Sequence, residues 1–220
     1  MKLYAMRFGP GPRRCIIYLA LKNLPYEFID VEVYKDTSKP EYLAKNPSGK
    51  VPMLEMDDGS VILESQVIIQ YLEEVYPDPP MYGQTDAERQ RIDAQYVLIN
   101  EFFYYLYMYS LHTHPYASHY LKRCHDIDIV AAPFSRARLN QIEALMEDRP
   151  FLAGQTPSIA DISLFAMLDY IKIRFGLFMQ PHQKKLLRWF ERFSALPDVE
   201  PMQPPPDFYD KIFQTMGRKY

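Results

Sequence analysis

The chain has 220 residues, 48% of them hydrophobic and 24% charged, with a formal net charge of -3. A chain of this length buries roughly 70% of the surface its unfolded form exposes, so a stable core needs no disulfide or metal staple. The slight negative charge gives no reason to expect nucleic acid or another polyanion as a partner.

Lys2 to Met6 reads as a strand, Arg13 to Lys22 as a helix, and Tyr26 to Val33 as a strand rich in β-branched and aromatic residues. A short helix over Pro40 to Lys45, strands over Val51 to Glu55 and Val61 to Leu63, and a helix over Ser65 to Tyr76 follow. With Asp57-Asp58-Gly59-Ser60 as a hairpin turn, the order is βαβ then ββα. That order implies a small mixed sheet flanked by helices, thioredoxin-like in its wiring, over residues 1–80. Pro77-Asp78-Pro79-Pro80 breaks the pattern, and from about Asp86 the apolar spacing is helical, which predicts an all-α domain over residues 86–220. Its clearest start signal is Ser158-Ile159-Ala160-Asp161, a serine cap with an acid three residues on, opening a helix to about Arg174. The proline-rich stretch Leu196 to Asp207 is expected to wrap the surface before a last short helix. Cys15 and Cys124 show neither metal nor disulfide spacing, which suits a reducing compartment. The first residues, Met1 to Arg7, lack the apolar stretch of a secretory signal, and no later run is long enough to span a bilayer. A soluble cytoplasmic protein without a membrane partner is the expectation.

The stretch most informative about function is Asn46-Pro47-Ser48-Gly49-Lys50-Val51-Pro52-Met53-Leu54, followed by Val61-Ile62-Leu63-Glu64-Ser65. Proline donates no ladder hydrogen bond, so Pro52 belongs at an edge or turn, and a cis Val51–Pro52 bond is one way to present backbone to a ligand. This arrangement resembles the glutathione-binding half of the glutathione transferases, omega- and zeta-like in character. The resemblance implies that the Val51 backbone, held by cis Pro52, pairs with the cysteinyl part of glutathione, and that Glu64 and Ser65 hold its γ-glutamyl end. A helix amino terminus at Ser65 suits a ligand carboxylate and Glu64 a ligand ammonium. Lys39 falls near a position that approaches the glycyl carboxylate in omega-like members, with Lys50 as a competing cation. Taken singly, each residue has a plainer reading: an edge-strand proline, a helix cap, solvated lysines.

The resemblance also places the activating hydroxyl or thiol at Gly9, or a phenol at Ala5, and neither side chain is present. Tyr4 is adjacent, but neighbouring strand residues face opposite sides of a sheet. The amides of Gly11 or Arg13, helped by the guanidinium of Arg13 or Arg14, are therefore expected to stand in. The alternative is that both arginines merely face solvent. Cys15 sits in an apolar run and reads as buried and inert. Family members present second-substrate residues from the first long C-terminal helix, and here Tyr104, Tyr107 and Met108 form a stripe at helical spacing, with Phe103 beside Tyr107. Such a stripe fits core or subunit interface as well as a cleft. His112, His114, His119, His125 and His182 lack metal-site spacing, so no metal is expected. The reading implied is a cytoplasmic, homodimeric detoxification enzyme that uses glutathione as co-substrate and adds its thiolate to a small hydrophobic electrophile. Two alternatives stay open: a non-catalytic glutathione-binding or interaction protein, and a glutathione-dependent aryl-ether-cleaving lyase.

Overall fold

The computed structural model describes residues 1–33, 35–113, 126–175 and 179–204. Its amino-terminal half runs β1 (Lys2–Ala5), α1 (Pro10–Leu21), β2 (Glu27–Asp30), α2 (Pro40–Lys45), β3 (Met53–Glu55), β4 (Val61–Leu63) and α3 (Ser65–Val75). The strands lie in the order β2-β1-β3-β4. β1 and β2 are parallel across the α1 crossover, while β3 runs antiparallel to both β1 and β4. Strand alternation explains the two faces. Leu3, Ala5 and Leu54 point into the main core with α1 and α3, whereas Tyr4 and Met53 point to the opposite face with Tyr42 of α2. The hairpin between β3 and β4 closes on Gly59, at φ 84°, with the Asp58 carboxylate accepting from the Ser60 amide at 2.8 Å.

Two sequence expectations shift here. α1 begins at Pro10 rather than Arg13, because proline is well suited to the first helical position, where its missing amide costs nothing. β3 begins at Met53 rather than Val51, since Pro52 has no ladder donor, and Val51-Pro52 forms a connecting segment ahead of the strand.

The second half is helical: α4 (Asp86–Thr113), α5 (Ile127–Met146), α6 (Ile159–Phe175) and α7 (Lys184–Ser194). α4 runs to Thr113. α6 is the central helix. Every residue from Ile159 to Leu168 is buried, which is why it has no polar stripe. It packs against α1, α4 and α7, and Phe165 meets Trp189, Phe190 and Phe193 of the amphipathic α7 at ring separations of 6.5, 5.0 and 4.7 Å. Fully burying each such ring or aliphatic chain is worth about 1.5–3 kcal/mol.

Ser158 directly precedes α6 and Asp161 reaches back to it, as the serine-and-acid spacing implied, but the serine hydroxyl turns to the acid itself. The Ser158 hydroxyl donates to Asp161 Oδ2 at 2.6 Å, and the Ser158 amide donates to the same oxygen at 2.9 Å. Asp161 Oδ1 accepts from the Leu152 amide at 2.8 Å and Trp189 Nε1 at 2.7 Å. The acid is thus the hub that ties α6 to the preceding loop and to α7. A second hub, Glu73 of α3, accepts from Tyr18 at 2.6 Å, pairs with buried Lys22 at 2.8 Å, and accepts from the Met81 amide at 2.6 Å. The Met81 carbonyl in turn accepts from the Ile159 amide at 2.9 Å, so this residue of the linker is tied to both halves. Cys124, His114, His119, His125 and the expected last short helix lie outside the described residues.

Candidate functional site

Two helix amino termini converge on the segment ahead of β3. The position a Cβ would take at Gly11 lies 3.4 Å from Pro52 Cδ, 3.7 Å from the Val51 carbonyl oxygen and 3.9 Å from Ser65 Oγ. Gly11, Val51, Pro52 and Ser65 are therefore brought together from the starts of α1, β3 and α3, and the Val51–Pro52 bond is cis. The loop that delivers them is held from behind. Asn46 Nδ2 and the Tyr42 hydroxyl donate to the Lys50 carbonyl at 2.8 and 2.6 Å, and Gly49 supplies a φ of 61° that other residues rarely adopt.

Neither helix end is capped by a side chain. In α1, Pro10 and Pro12 carry no amide hydrogen, and the Arg13 amide donates to the Gly9 carbonyl at 3.0 Å. Helix geometry leaves Gly11 N–H as the first-turn donor without an intrahelical acceptor. The expectation of an Arg13 amide in this role does not survive that bond. In α3, the amides of Ser65, Gln66 and Val67 are the corresponding unsatisfied donors.

Glu64, directly before α3, is exposed and sits at φ 69°, ψ 123°. That conformation costs a non-glycine residue about 1–3 kcal/mol, and strain of this kind gathers where a side chain must be aimed at a ligand. No pattern in the sequence signals it, because glutamate has no preference for this region.

Lys39 pairs with Asp36 at 2.7 Å, and that hydrogen-bonded ion pair raises its pKa above the ordinary lysine value. Lys50 is exposed and has no acid partner among the described residues. Ala5 is buried, and Tyr4 lies across the sheet from Gly11, 6.4 Å from the Tyr42 ring, with its phenol raised by burial and by Glu55. Cys15 is fully buried, and desolvation pushes its thiol up to about 12, which leaves it without thiolate at neutral pH.

Comparison with known proteins decides the family of the chain. A family profile described as "Glutathione S-transferase, N-terminal domain" matches residues 3–80, and "Glutathione S-transferase, C-terminal domain" matches 136–192. The chain is 32% identical over 183 residues to maleylacetoacetate isomerase of Pseudomonas aeruginosa, covering 80% of this chain and 84% of that protein. The chain belongs to the glutathione S-transferase family. It is also 29% identical over 209 residues to glutathione S-transferase 2 of Saccharomyces cerevisiae, covering 91% of this chain and 88% of that one. The crystal structure of a glutathione S-transferase domain-containing protein from Marinobacter aquaeolei VT8 superposes with a TM-score of 0.79 at 26% identity, covering 91% of this chain and all of that one.

In this glutathione S-transferase chain the two adjacent arginines part company. Both are buried, so neither faces solvent as the plainer reading had it. Arg13 Nη2 pairs with Asp169 of α6 at 3.2 Å and donates to the Glu200 carbonyl, which commits it to joining the two halves. Burial raises the Asp169 carboxyl, with the facing guanidinium acting against that rise. Arg14 instead lies over the Phe103 ring of α4, 5.3 Å from its centroid, and its Nε meets no hydrogen-bond partner. Phe103 stacks on Tyr107 at 6.2 Å with planes 9° apart. Tyr104 belongs elsewhere: it meets Tyr105, which stacks on Phe134 of α5, and is 62% exposed. Met108 is half-buried. His112 lies in the last turn of α4, and His182 Nε2 is 3.3 Å from Asn140 Oδ1. Among the described residues, no group of three or more His, Cys, Asp and Glu is arranged to hold a metal, and no helix is long and apolar enough to cross a membrane.

Proposed function

We propose that this chain binds glutathione in the cleft between α1 and α3 and adds its thiolate to a small hydrophobic electrophile. The observation that carries the reading is Glu64, held at φ 69° in front of the uncapped α3 terminus and beside the cluster of Gly11, Val51, Pro52 and Ser65. In this arrangement Glu64 pairs with the γ-glutamyl ammonium, and the α3 amides with Ser65 take its carboxylate. The Val51 backbone meets the cysteinyl unit, and Lys50, freer than Lys39, answers the glycyl carboxylate. The sulfur then lies by Gly11 N–H, with the Arg14 charge adding to the helix terminus. The electrophile approaches from the α4 side, along Tyr107 and Met108.

A second reading is favoured by Gly9 and Ala5, which bring no hydroxyl to the sulfur: a binding protein that holds glutathione without activating it. Calorimetric titration with glutathione, combined with thiolate absorbance of the complex across pH, separates the two. A bound thiol pKa at least one unit below the free value of ~8.5 supports the enzyme, an unshifted one supports the binding protein, and no binding overturns both. The reading includes a cytoplasmic homodimer. Val97 and Tyr104 on α4 with Ile129, Val130 and Phe134 on α5 are large apolar groups left exposed, and a partner copy would cover them. A monomeric sedimentation coefficient at micromolar concentration would remove the dimer without touching the site.

A further inference from the structure

Arg14 is 6% exposed, its Nε is buried without a hydrogen-bond partner, and no carboxylate among the described residues pairs with it. Buried cations are ordinarily paired, because desolvating an uncompensated charge is costly. The contrast with its neighbour is direct. Arg13, one residue earlier and equally buried, shares the partnerless Nε, but its Nη2 reaches Asp169 and the Glu200 carbonyl. Arg14 has the flat face of Phe103, backed by Tyr107 in near-parallel stacking. A ring face partly compensates a guanidinium but accepts none of its directed donors.

The direction of Arg14 also matters. Cys15, one position on, turns toward the Ser65 carbonyl, 3.8 Å from its sulfur, on the glutathione side of α1. Arg14 turns to the α4 side, where the electrophile enters. We propose that Arg14 is the receptor for a carboxylate on the second substrate, so that the electrophile this site prefers is a planar, anionic one. Its carboxylate takes the guanidinium fork while its apolar body lies along Phe103 and Tyr107. This rests on the glutathione reading above.

The test uses a matched pair, 4-chloro-3,5-dinitrobenzoate and the corresponding benzamide, which differ in charge and little in shape. With either, the glutathione thiol first loses its proton to buffer. The thiolate sulfur then forms a bond to the ring carbon bearing chlorine, and chloride leaves with the carbon–chlorine electron pair. The quantity measured is the ratio of kcat/KM for acid over amide. Any contribution of Arg14 to the thiolate affects both substrates and cancels. The ratio is expected to fall about 10- to 100-fold in Arg14→Met, the range of one lost charge-assisted interaction, and to recover only in part in Arg14→Lys, which keeps the charge but not the fork. An equal loss on both substrates, or no loss, overturns the proposal. Calorimetric titration of each variant with glutathione alone distinguishes a failure of this proposal, in which glutathione still binds, from failure of the reading beneath it. If Arg14→Met fails to fold, competitive inhibition of wild type by 3,5-dinitrobenzoate against 3,5-dinitrobenzamide decides: a preference below twofold for the acid overturns the proposal.

Discussion

Glu64 offers a perturbation in which stability and binding move in opposite directions. Its φ of 69° and ψ of 123° cost about 1–3 kcal/mol for a residue with a Cβ and nothing for glycine. Against that gain, glycine adds about 0.5–1 kcal/mol of unfolded-chain entropy. Glu64→Gly is therefore expected to be more stable by about 1 kcal/mol, which for a chain of this size raises Tm by about 2–4 °C. The same change removes the group proposed to meet the ligand ammonium. A charge-assisted hydrogen bond contributes about 1.5–3 kcal/mol, so glutathione affinity should fall about 10- to 150-fold. Glu64→Ala separates the two effects, since alanine keeps the strained backbone and loses the carboxylate. It should bind as weakly as the glycine variant and melt below it. The assays are thermal melts and calorimetric titration of all three proteins. A glycine variant that melts no higher than the alanine one refutes the strain argument, and glutathione affinity within twofold of wild type in both refutes the role of the side chain.

Asp161→Asn should cost about 2–5 kcal/mol, because four donors converge on its two oxygens and an amide nitrogen turned toward any of them leaves donors facing donors; a fall in Tm below about 4 °C would contradict this. Burial raises the Asp161 carboxyl above the ordinary range. Cys15 should resist iodoacetamide in the native protein at pH 8 and react on unfolding, as peptide mass spectrometry would show; rapid native labelling contradicts its burial. Gly11→Ala keeps the first-turn amide and should leave the pKa of bound glutathione within a few tenths of a unit, whereas Gly11→Pro removes that donor and should raise it; equal values in the two variants exclude the amide as the donor.

The sheet was legible because its signals are local, alternation in Lys2 to Ala5 and a turn at Asp57 to Ser60, whereas the start of β3 was missed because Pro52 was read into the strand. The gathering of Gly11, Val51, Pro52 and Ser65 followed from the same wiring, since a βαβ unit followed by a hairpin brings the starts of α1, β3 and α3 to one end of the sheet. What a single sequence does not carry is tertiary choice. Arg13 and Arg14 are the same residue type one step apart on a helix, about 100° around its axis. One finds Asp169 and the other Phe103, so their roles diverge through partners on α6 and α4 that neighbouring letters cannot name. The stripe at Tyr104, Tyr107 and Met108 divides for the same reason. Helical spacing groups them, but α5 draws Tyr104's neighbour Tyr105 to Phe134, while Phe103 stands between Arg14 and Tyr107.

The missing hydroxyl at Gly9 is less damaging to catalysis than it looks from the sequence. Lowering a thiol from ~8.5 by two units needs about 2.7 kcal/mol of preference for the thiolate. A helix terminus supplies about 0.3–1 kcal/mol, and one amide donating to an anion about 1.5–3 kcal/mol. Gly11 N–H at the start of α1 can therefore account for between one and three units without any side-chain donor. The Gly-Pro-Gly-Pro run suits this role: the prolines start the helix without adding amides, which leaves the Gly11 N–H as the first-turn donor beside Val51, Pro52 and Ser65. On the glutathione reading proposed above, the activating donor is a backbone amide, and activity should depend on residue 11 rather than on residue 9.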